Sequence, residues 1–265
     1  MKKKISITIE ETLLREIDKS IDNLYIRNRS QAIEHLIKSS LSEDKTAIIL
    51  AGGMEEAVTI NGKYMIEINI KEKTVLEHAI SKLRSAGFKN IFIVARAKLL
   101  TKAFEILKDG TSFGVNVEYI EEKNTKGTAT TLKHVKGKVH TRFLAVYADI
   151  VFNNIQIDKL WEAHMKQKPL ATLMLTTSPK PYEKGSIIME GDRILSFIQK
   201  SKESDVHLVF SPIFVAEPEL LDYPGVSLER DIFAKLAPKG LLRGYLSSEK
   251  EVHIHSLEDI KKVRL

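Results

Sequence analysis

Ala47-Ile48-Ile49-Leu50-Ala51-Gly52-Gly53 is an unbroken apolar run that ends in two glycines. A strand with one wet face alternates apolar and polar residues, whereas a strand covered on both faces reads as continuous hydrophobic sequence. The run therefore predicts a central strand with helices on either side of its sheet. The glycines predict a tight loop at the strand end, where backbone can approach a ligand closely. Outward from this run the chain alternates. The spacing predicts a helix over 74–86, a strand over 91–94, a helix over 99–107, and buried strands over 143–147 and 171–175. Such alternation predicts an α/β domain with a mainly parallel mixed sheet, spanning residues 46–265.

Residues 1–43 follow a different pattern. Ile5, Ile7 and Ile9 fall on one face of a short strand, and Lys4, Ser6 and Thr8 on the other. Leu13, Leu14, Ile17, Ile21 and Leu24 then recur at helical spacing. Arg27-Asn28-Arg29 interrupts them, Ser30 suits an N-cap, and Ala32, Ile33, Leu36, Ile37 and Leu41 give a second amphipathic helix. A lone strand needs a partner edge, so a homodimer or higher oligomer is expected, with two copies of the strand paired into a ribbon. An alternative is that this strand joins the main sheet. Ser42-Glu43-Asp44-Lys45 forms the polar junction between the two regions.

The chain carries a formal net charge of +6 with a pI near 9.2, which permits nucleic-acid binding without requiring it. Within the first 44 residues eight basic and eight acidic side chains cancel, so only their placement favours DNA. Three lysines lead into the ribbon, and Arg27 and Arg29 precede the second helix. The absence of cysteine excludes disulfides, thiolate metal sites and a cysteine nucleophile. No apolar run reaches membrane-spanning length and no export signal follows Met1, so no membrane association is expected and a cytoplasmic location is.

The order of elements in residues 1–43 resembles the ribbon-helix-helix repressors. That resemblance implies double-stranded DNA as a partner, base reading by Lys4, Ser6 and Thr8, and a phosphate grip by Arg29 and Ser30. Residues 46–265 resemble the sugar-phosphate nucleotidyltransferases, which implies a Rossmann-like nucleotidyltransferase fold. The landmarks are the loop at Gly52 and Gly53, Gly62-Lys63-Tyr64-Met65, Gly127-Thr128-Ala129, Ala148-Asp149, the strand pair over 185–200, and Ser256-Leu257-Glu258-Asp259-Ile260. By this resemblance Gly52, Gly53, Lys63, Gly127, Thr128, Asp149 and Lys200 are candidate binding residues for a nucleotide, sugar phosphate or nucleotide sugar. Asp149 is a candidate metal ligand, with Mg²⁺ implied only if the site is functional. Lys63 also reads as the flank of an Asn-Gly turn, and Asp149 as a surface acid at a strand end. Trp161, with Leu160 and Met165, reads as core. His253 and His255 share one face of a short strand, a spacing that permits a metal pair and equally suits an exposed pair.

The family's Gly-x-Gly-Thr/Ser-Arg loop is here Gly53-Met54-Glu55-Glu56-Ala57, its second metal-binding acid is His253, and its Asn-Ala-Gly-φ-Tyr stretch is Phe210-Ser211-Pro212-Ile213-Phe214. Two carboxylates near bound phosphates would repel them. The sequence thus predicts a DNA-binding transcription regulator whose second domain is a pseudo-enzyme that senses a phosphorylated ligand. The alternative is an active sugar-1-phosphate nucleotidyltransferase with a DNA-binding appendage, and a third reading is an interaction scaffold.

Overall fold

The computed structural model describes residues 5–21, 26–33, 45–55, 58–124, 126–200 and 206–263. Lys4, Leu24, Leu36, Ile37, Leu41, Glu56 and Ala57, all named above, lie outside them. The chain divides into two compact units, Met1–Asp44 and Lys45–Leu265.

In the first unit a helix runs over Glu11–Lys19 and buries Ile17. Exposed i,i+4 and i,i+3 pairs, Arg15 with Glu11 and Lys19 with Glu16, line its outer side. The expected strand is not formed within the chain: residues 5–10 carry no ladder, and Ile5 and Ile7 are 70% and 53% exposed. An isolated extended segment has no edge to pair with, so its alternation alone cannot make a strand. The next helical turn is capped by Asn28, whose Oδ1 accepts from the Gln31 N–H at 3.0 Å, and not by Ser30, which lies inside the first turn. The Arg29 guanidinium makes two bonds to Asp18, of 2.7 and 2.8 Å. Asp18 thus already occupies the fork that a phosphate would need.

The second unit is built on one nine-stranded sheet. Its strands are β1 Lys45–Ala51, β6 Phe88–Ala95, β7 Asn116–Glu121, β8 Phe143–Tyr147, β10 Ala171–Thr177, β11 Gly185–Glu190, β12 Arg193–Gln199, β13 Leu208–Ala216 and β14 Leu242–Leu246. Three two-stranded ladders flank it: β2 Thr59–Ile60 with β3 Lys63–Tyr64, β4 Asn69–Ile70 with β5 Lys73–Thr74, and β9 Ile150–Val151 with β15 Val252–His253. The main sheet runs β10-β14-β12-β11-β13-β8-β1-β6-β7. Strands β7, β6, β1 and β8 are mutually parallel, and β13 joins them antiparallel. Beyond β13 only β10 and β14 pair parallel, so the sheet is mixed and its parallel half is the half centred on β1.

Every β1 residue after Lys45 is buried. Ala47, Ile49 and Ala51 enter one core layer, beneath the helices Val75–Ser85, Ala97–Leu107 and Ile157–Gln167. Ile48 and Leu50 enter the other, beneath the helix Thr128–Lys133 and the π-helix Leu228–Phe233. The unbroken apolar run is thus the consequence of two covered faces. Trp161 is core, edge-on to Phe88 at 5.3 Å. Thr74 caps rather than begins its helix. Its Oγ1 accepts from the Glu77 N–H at 3.1 Å while Glu77 Oε2 accepts from the Thr74 N–H at 2.7 Å. Among the described residues no helix is long and apolar enough to cross a membrane.

Candidate active site

Parallel pairing aligns the carboxyl ends of the four strands. Ala51 lies beside Ala95, Ala95 beside Glu121, and Leu50 beside Tyr147. The residues that follow, Gly52, Arg96, Glu122 and Ala148-Asp149, therefore emerge along one edge of the sheet, the edge at which open α/β sheets place ligands.

A cleft opens there in two adjoining compartments that share Ala51, Gly53, Val58 and Leu99. The larger, about 510 Å³, brings together Gly52, Gly53, Gly127, Thr128, Asp149 and Lys200. Of the candidate ligand residues only Lys63 is not among its lining. It sits exposed beside the turn of the β2–β3 hairpin, as its flanking Asn61-Gly62 allows.

The glycines are required by close approach. A Cβ on Gly52 would stand 2.5 Å from both Glu122 Oε2 and Thr131 Oγ1, and one on Gly127 would stand 2.7 Å from the Val226 carbonyl oxygen. The Gly53 N–H donates to Glu122 Oε2 at 3.3 Å, and Thr131 Oγ1 donates to Glu122 Oε1. Glu122, 1% exposed, thus ties the loop after β1 to the end of β7. The sequence offered no hint of this, because Glu121-Glu122-Lys123 reads as a solvated charge run.

Thr128 is held from behind. Its hydroxyl donates to Glu229 Oε2 at 2.8 Å and accepts from the Leu228 N–H at 2.8 Å. Tyr147 also donates to Glu229, and Ser227 Oγ does so at 2.8 Å. Burial, then the Glu229 charge, pushes the Tyr147 phenol well above its ordinary pKa. Lys200 has a left-handed backbone (φ 52°) and donates its N–H to the Lys184 carbonyl at 2.9 Å.

The smaller compartment, about 270 Å³, is lined by Arg96, Lys98 and Lys123 together with Glu55, Glu121 and Glu122. The sequence predicted that Glu55 would repel phosphates. In the structure Lys98 Nζ donates to Glu55 Oε2 at 3.2 Å and Tyr64 OH donates to its Oε1 at 3.1 Å. These hydrogen bonds, Lys98 first and Tyr64 second, hold the Glu55 carboxyl below the usual range. It is charged but paired. Arg96 places a guanidinium in the same compartment from the end of β6, a cation that no loop motif announces.

Asp149 stands at the cleft edge beside two imidazoles. His253 Nδ1 and His255 Nε2 each lie 3.7 Å from its Oδ2. On the far side of His253, Nε2 meets Glu251 Oε1 at 3.1 Å. Glu251 is buried and accepts from Lys184 Nζ and Ser211 Oγ, both at 2.7 Å. Burial pushes His253 down, but its bonds to Asp149 and Glu251 outweigh this and raise it to about 9. Burial likewise pushes Asp149 up, and its bond to His253 and the two histidine charges bring it below its ordinary value.

The fold and the cleft define an α/β domain of the Rossmann-like nucleotidyltransferase class. The chain belongs to the nucleotidyl transferase family, whose match covers residues 46–252. It is 25% identical over 170 residues to a mannose-1-phosphate guanylyltransferase of Mycobacterium tuberculosis, covering 62% of this chain and 47% of that protein. It is 28% identical over 196 residues to a putative mannose-1-phosphate guanyltransferase of Sulfolobus acidocaldarius, covering 72% and 54%. The chain spans about half the length of these relatives. In fold it is similar to a putative glucose-1-phosphate thymidylyltransferase from Bacillus anthracis, with TM-score 0.74, 18% identity, and 82% and 92% of the two chains covered. It is also similar to a UDP-glucose pyrophosphorylase complexed with UDP-glucose, with TM-score 0.69, 15% identity, and 82% and 96% covered.

These relationships overturn the expectation of a DNA-binding transcription regulator with a pseudo-enzyme domain. The relatives named above are sugar-1-phosphate nucleotidyltransferases, and the Arg29 fork is already occupied by Asp18. The Mg²⁺ implied by the resemblance meets a poor donor set here. Mg²⁺ takes oxygen ligands almost exclusively, whereas the groups gathered at Asp149 are two imidazoles.

Proposed function

We propose that residues 46–265 form a domain that transfers a nucleotidyl group from a nucleoside triphosphate to a sugar 1-phosphate. The observation that carries this reading is the convergence of Gly52, Gly53, Gly127, Thr128, Asp149 and Lys200 on one cleft at the ends of the parallel strands. An oxygen of the sugar 1-phosphate attacks the α-phosphorus. The new P–O bond forms as the bond from that phosphorus to the bridging oxygen of the β-phosphate breaks, and pyrophosphate leaves. The reaction requires little of the protein beyond positioning and charge stabilisation. Gly52 lets the loop after β1 pack against Glu122 and Thr131 at the edge of the cleft. Arg96, Lys123 and Lys200 supply positive charge from three different elements, in place of the single loop arginine that the sequence lacks. The Glu229 network orients Thr128 and the Gly127 turn.

The names of the relatives make mannose 1-phosphate and GTP the first substrates to test. Pyrophosphate release from that pair, and from a panel of other sugar 1-phosphates and triphosphates, tests the reading. Turnover is expected with at least one pair. The exposed Ile5 and Ile7 support a second, separate proposal, that residues 1–43 form their own domain and associate with a second copy of the chain.

A further inference from the structure

Asp149, His253 and His255 bring three potential metal-ligand atoms within 4.8 Å of one another. The Asp149 oxygen lies 3.7 Å from a nitrogen of each histidine. Around a tetrahedral ion with bonds of roughly 2.1 Å, neighbouring ligand atoms stand about 3.4 Å apart. A small inward rotation of the side chains would therefore close this set on an ion.

The set is held by backbone. His253 pairs with Ile150 across the β9–β15 ladder, and the Ile254 N–H donates to the Asp149 carbonyl at 2.8 Å. The two imidazole planes are stacked at 24°, with centroids 5.6 Å apart. One ring is further fixed by an acid behind it. Nε2 of His253 faces Glu251 and Nδ1 faces Asp149, so an ion bound at Nδ1 would take the place of the proton that this nitrogen otherwise holds toward Asp149. A carboxylate that orients a histidine from its far nitrogen is the usual second layer of a histidine metal site. Glu251 stands behind the histidine and is not among the residues that line the cleft. Its side chain has no exposed surface, and its other bonds go to Lys184 and Ser211. Asp149 and His255 both line the cleft, so an ion held here would keep its remaining positions open to a bound phosphate.

We propose that Asp149, His253 and His255 bind a borderline divalent transition-metal ion of the Zn²⁺ and Co²⁺ kind in preference to Mg²⁺. Imidazole nitrogens favour the later first-row ions, and three protein ligands with an open position is the arrangement of catalytic rather than structural sites. The inference rests on the nucleotidyl-transfer reading for what the ion would be used for, not for whether it binds.

The test uses the full, untagged chain, stripped with chelator and titrated with Co²⁺. A visible ligand-field absorption that saturates at one ion per chain is expected, with Zn²⁺ abolishing it and a large excess of Mg²⁺ leaving it unchanged. His255→Ala should remove the absorption without unfolding the protein, since that side chain is 60% exposed. Glu251→Gln should keep the absorption but weaken Co²⁺ affinity by about 10–100-fold. No absorption in the wild type, as when Asp149 and His253 share only a proton, would overturn the proposal. So would absorption that survives in His255→Ala, or displacement by Mg²⁺. Failure of the two readings is separable. Co²⁺ bound at these residues without pyrophosphate release leaves the metal site standing and removes the nucleotidyl-transfer reading. Turnover with Mg²⁺ and no Co²⁺ absorption does the reverse.

Discussion

The main-chain N–H of Gly53 donates to the buried carboxylate of Glu122 across 3.3 Å, joining residues 69 positions apart in sequence. The loop that follows β1 is thereby tied to the end of β7 as well as by its own local bonds, such as the Thr59 hydroxyl to the Glu55 carbonyl at 2.9 Å. Gly52→Ala forces a methyl group to within 2.5 Å of Glu122 and Thr131. Overpacking of this kind costs about 1–3 kcal/mol, and each kcal/mol lowers Tm by roughly 2–4 °C in a domain of this size. Thermal denaturation should show that fall. An unchanged Tm would mean that Glu122 and Thr131 move aside freely.

Tyr147 and Glu229 define a second test. Tyr147→Phe removes a donor from a carboxylate that is only 8% exposed. Leaving part of a buried acceptor unpaired costs about 1–3 kcal/mol. Glu229 also positions Thr128, so kcat should fall along with stability. Loss of stability with full kcat would separate the network from the cleft's chemistry.

Lys98 pairs with Glu55 at the edge of the cleft, and in the proposed reading this pairing holds the carboxylate away from bound phosphate. Lys98→Ala should therefore lower kcat/KM, by about fivefold or less for so exposed a pair, and Glu55→Gln added to it should restore the loss. Additive losses in the double variant would show that the pair has no such role. Arg96→Ala should be far more damaging, on the order of 100-fold, because it removes a charge with no substitute at the end of β6.

A stability signature below neutral pH is expected from His164. It is fully buried, close to Thr172 Oγ1 at 2.9 Å and Glu217 Oε1 at 3.3 Å, and Arg142 pairs with the same carboxylate oxygen. Burial lowers its pKa below the usual 6.5, although Glu217 opposes this. Below pH 6.5 the unfolded chain binds a proton that the folded chain refuses. The stability that His164 contributes is therefore complete above pH 6.5 and is lost as pH falls toward its folded pKa. Denaturant titrations of wild type and His164→Gln across this window should diverge, with the steeper pH dependence in wild type.

How much of this was legible in sequence depended on whether the signal was local. The run from Ala47 to Leu50 displayed both covered faces of β1, and Gly127 and Asp149 stood beside recognisable turns. Glu122, Glu229 and Glu251 carried no such mark, since each acquires its role from partners far away in sequence, as in the 101-residue separation of Thr128 and Glu229. The pairing of Glu55 with Lys98, 43 positions apart, was hidden for the same reason. At the N-terminus the alternation of Ile5, Ile7 and Ile9 predicts a strand, but residues 5–10 carry no ladder in the single chain. Asp18 and Arg29, 11 positions apart, pair through tertiary structure and not through helical spacing.

The most direct test of nucleotidyl transfer is pyrophosphate release by the full chain supplied with mannose 1-phosphate, GTP and a divalent ion, with Asp149→Asn and Arg96→Ala alongside. The account predicts turnover with this pair or another in the sugar 1-phosphate panel, reduced by at least about 100-fold in Arg96→Ala and strongly reduced in Asp149→Asn. No pyrophosphate from any pair, or turnover indifferent to both substitutions, would contradict it.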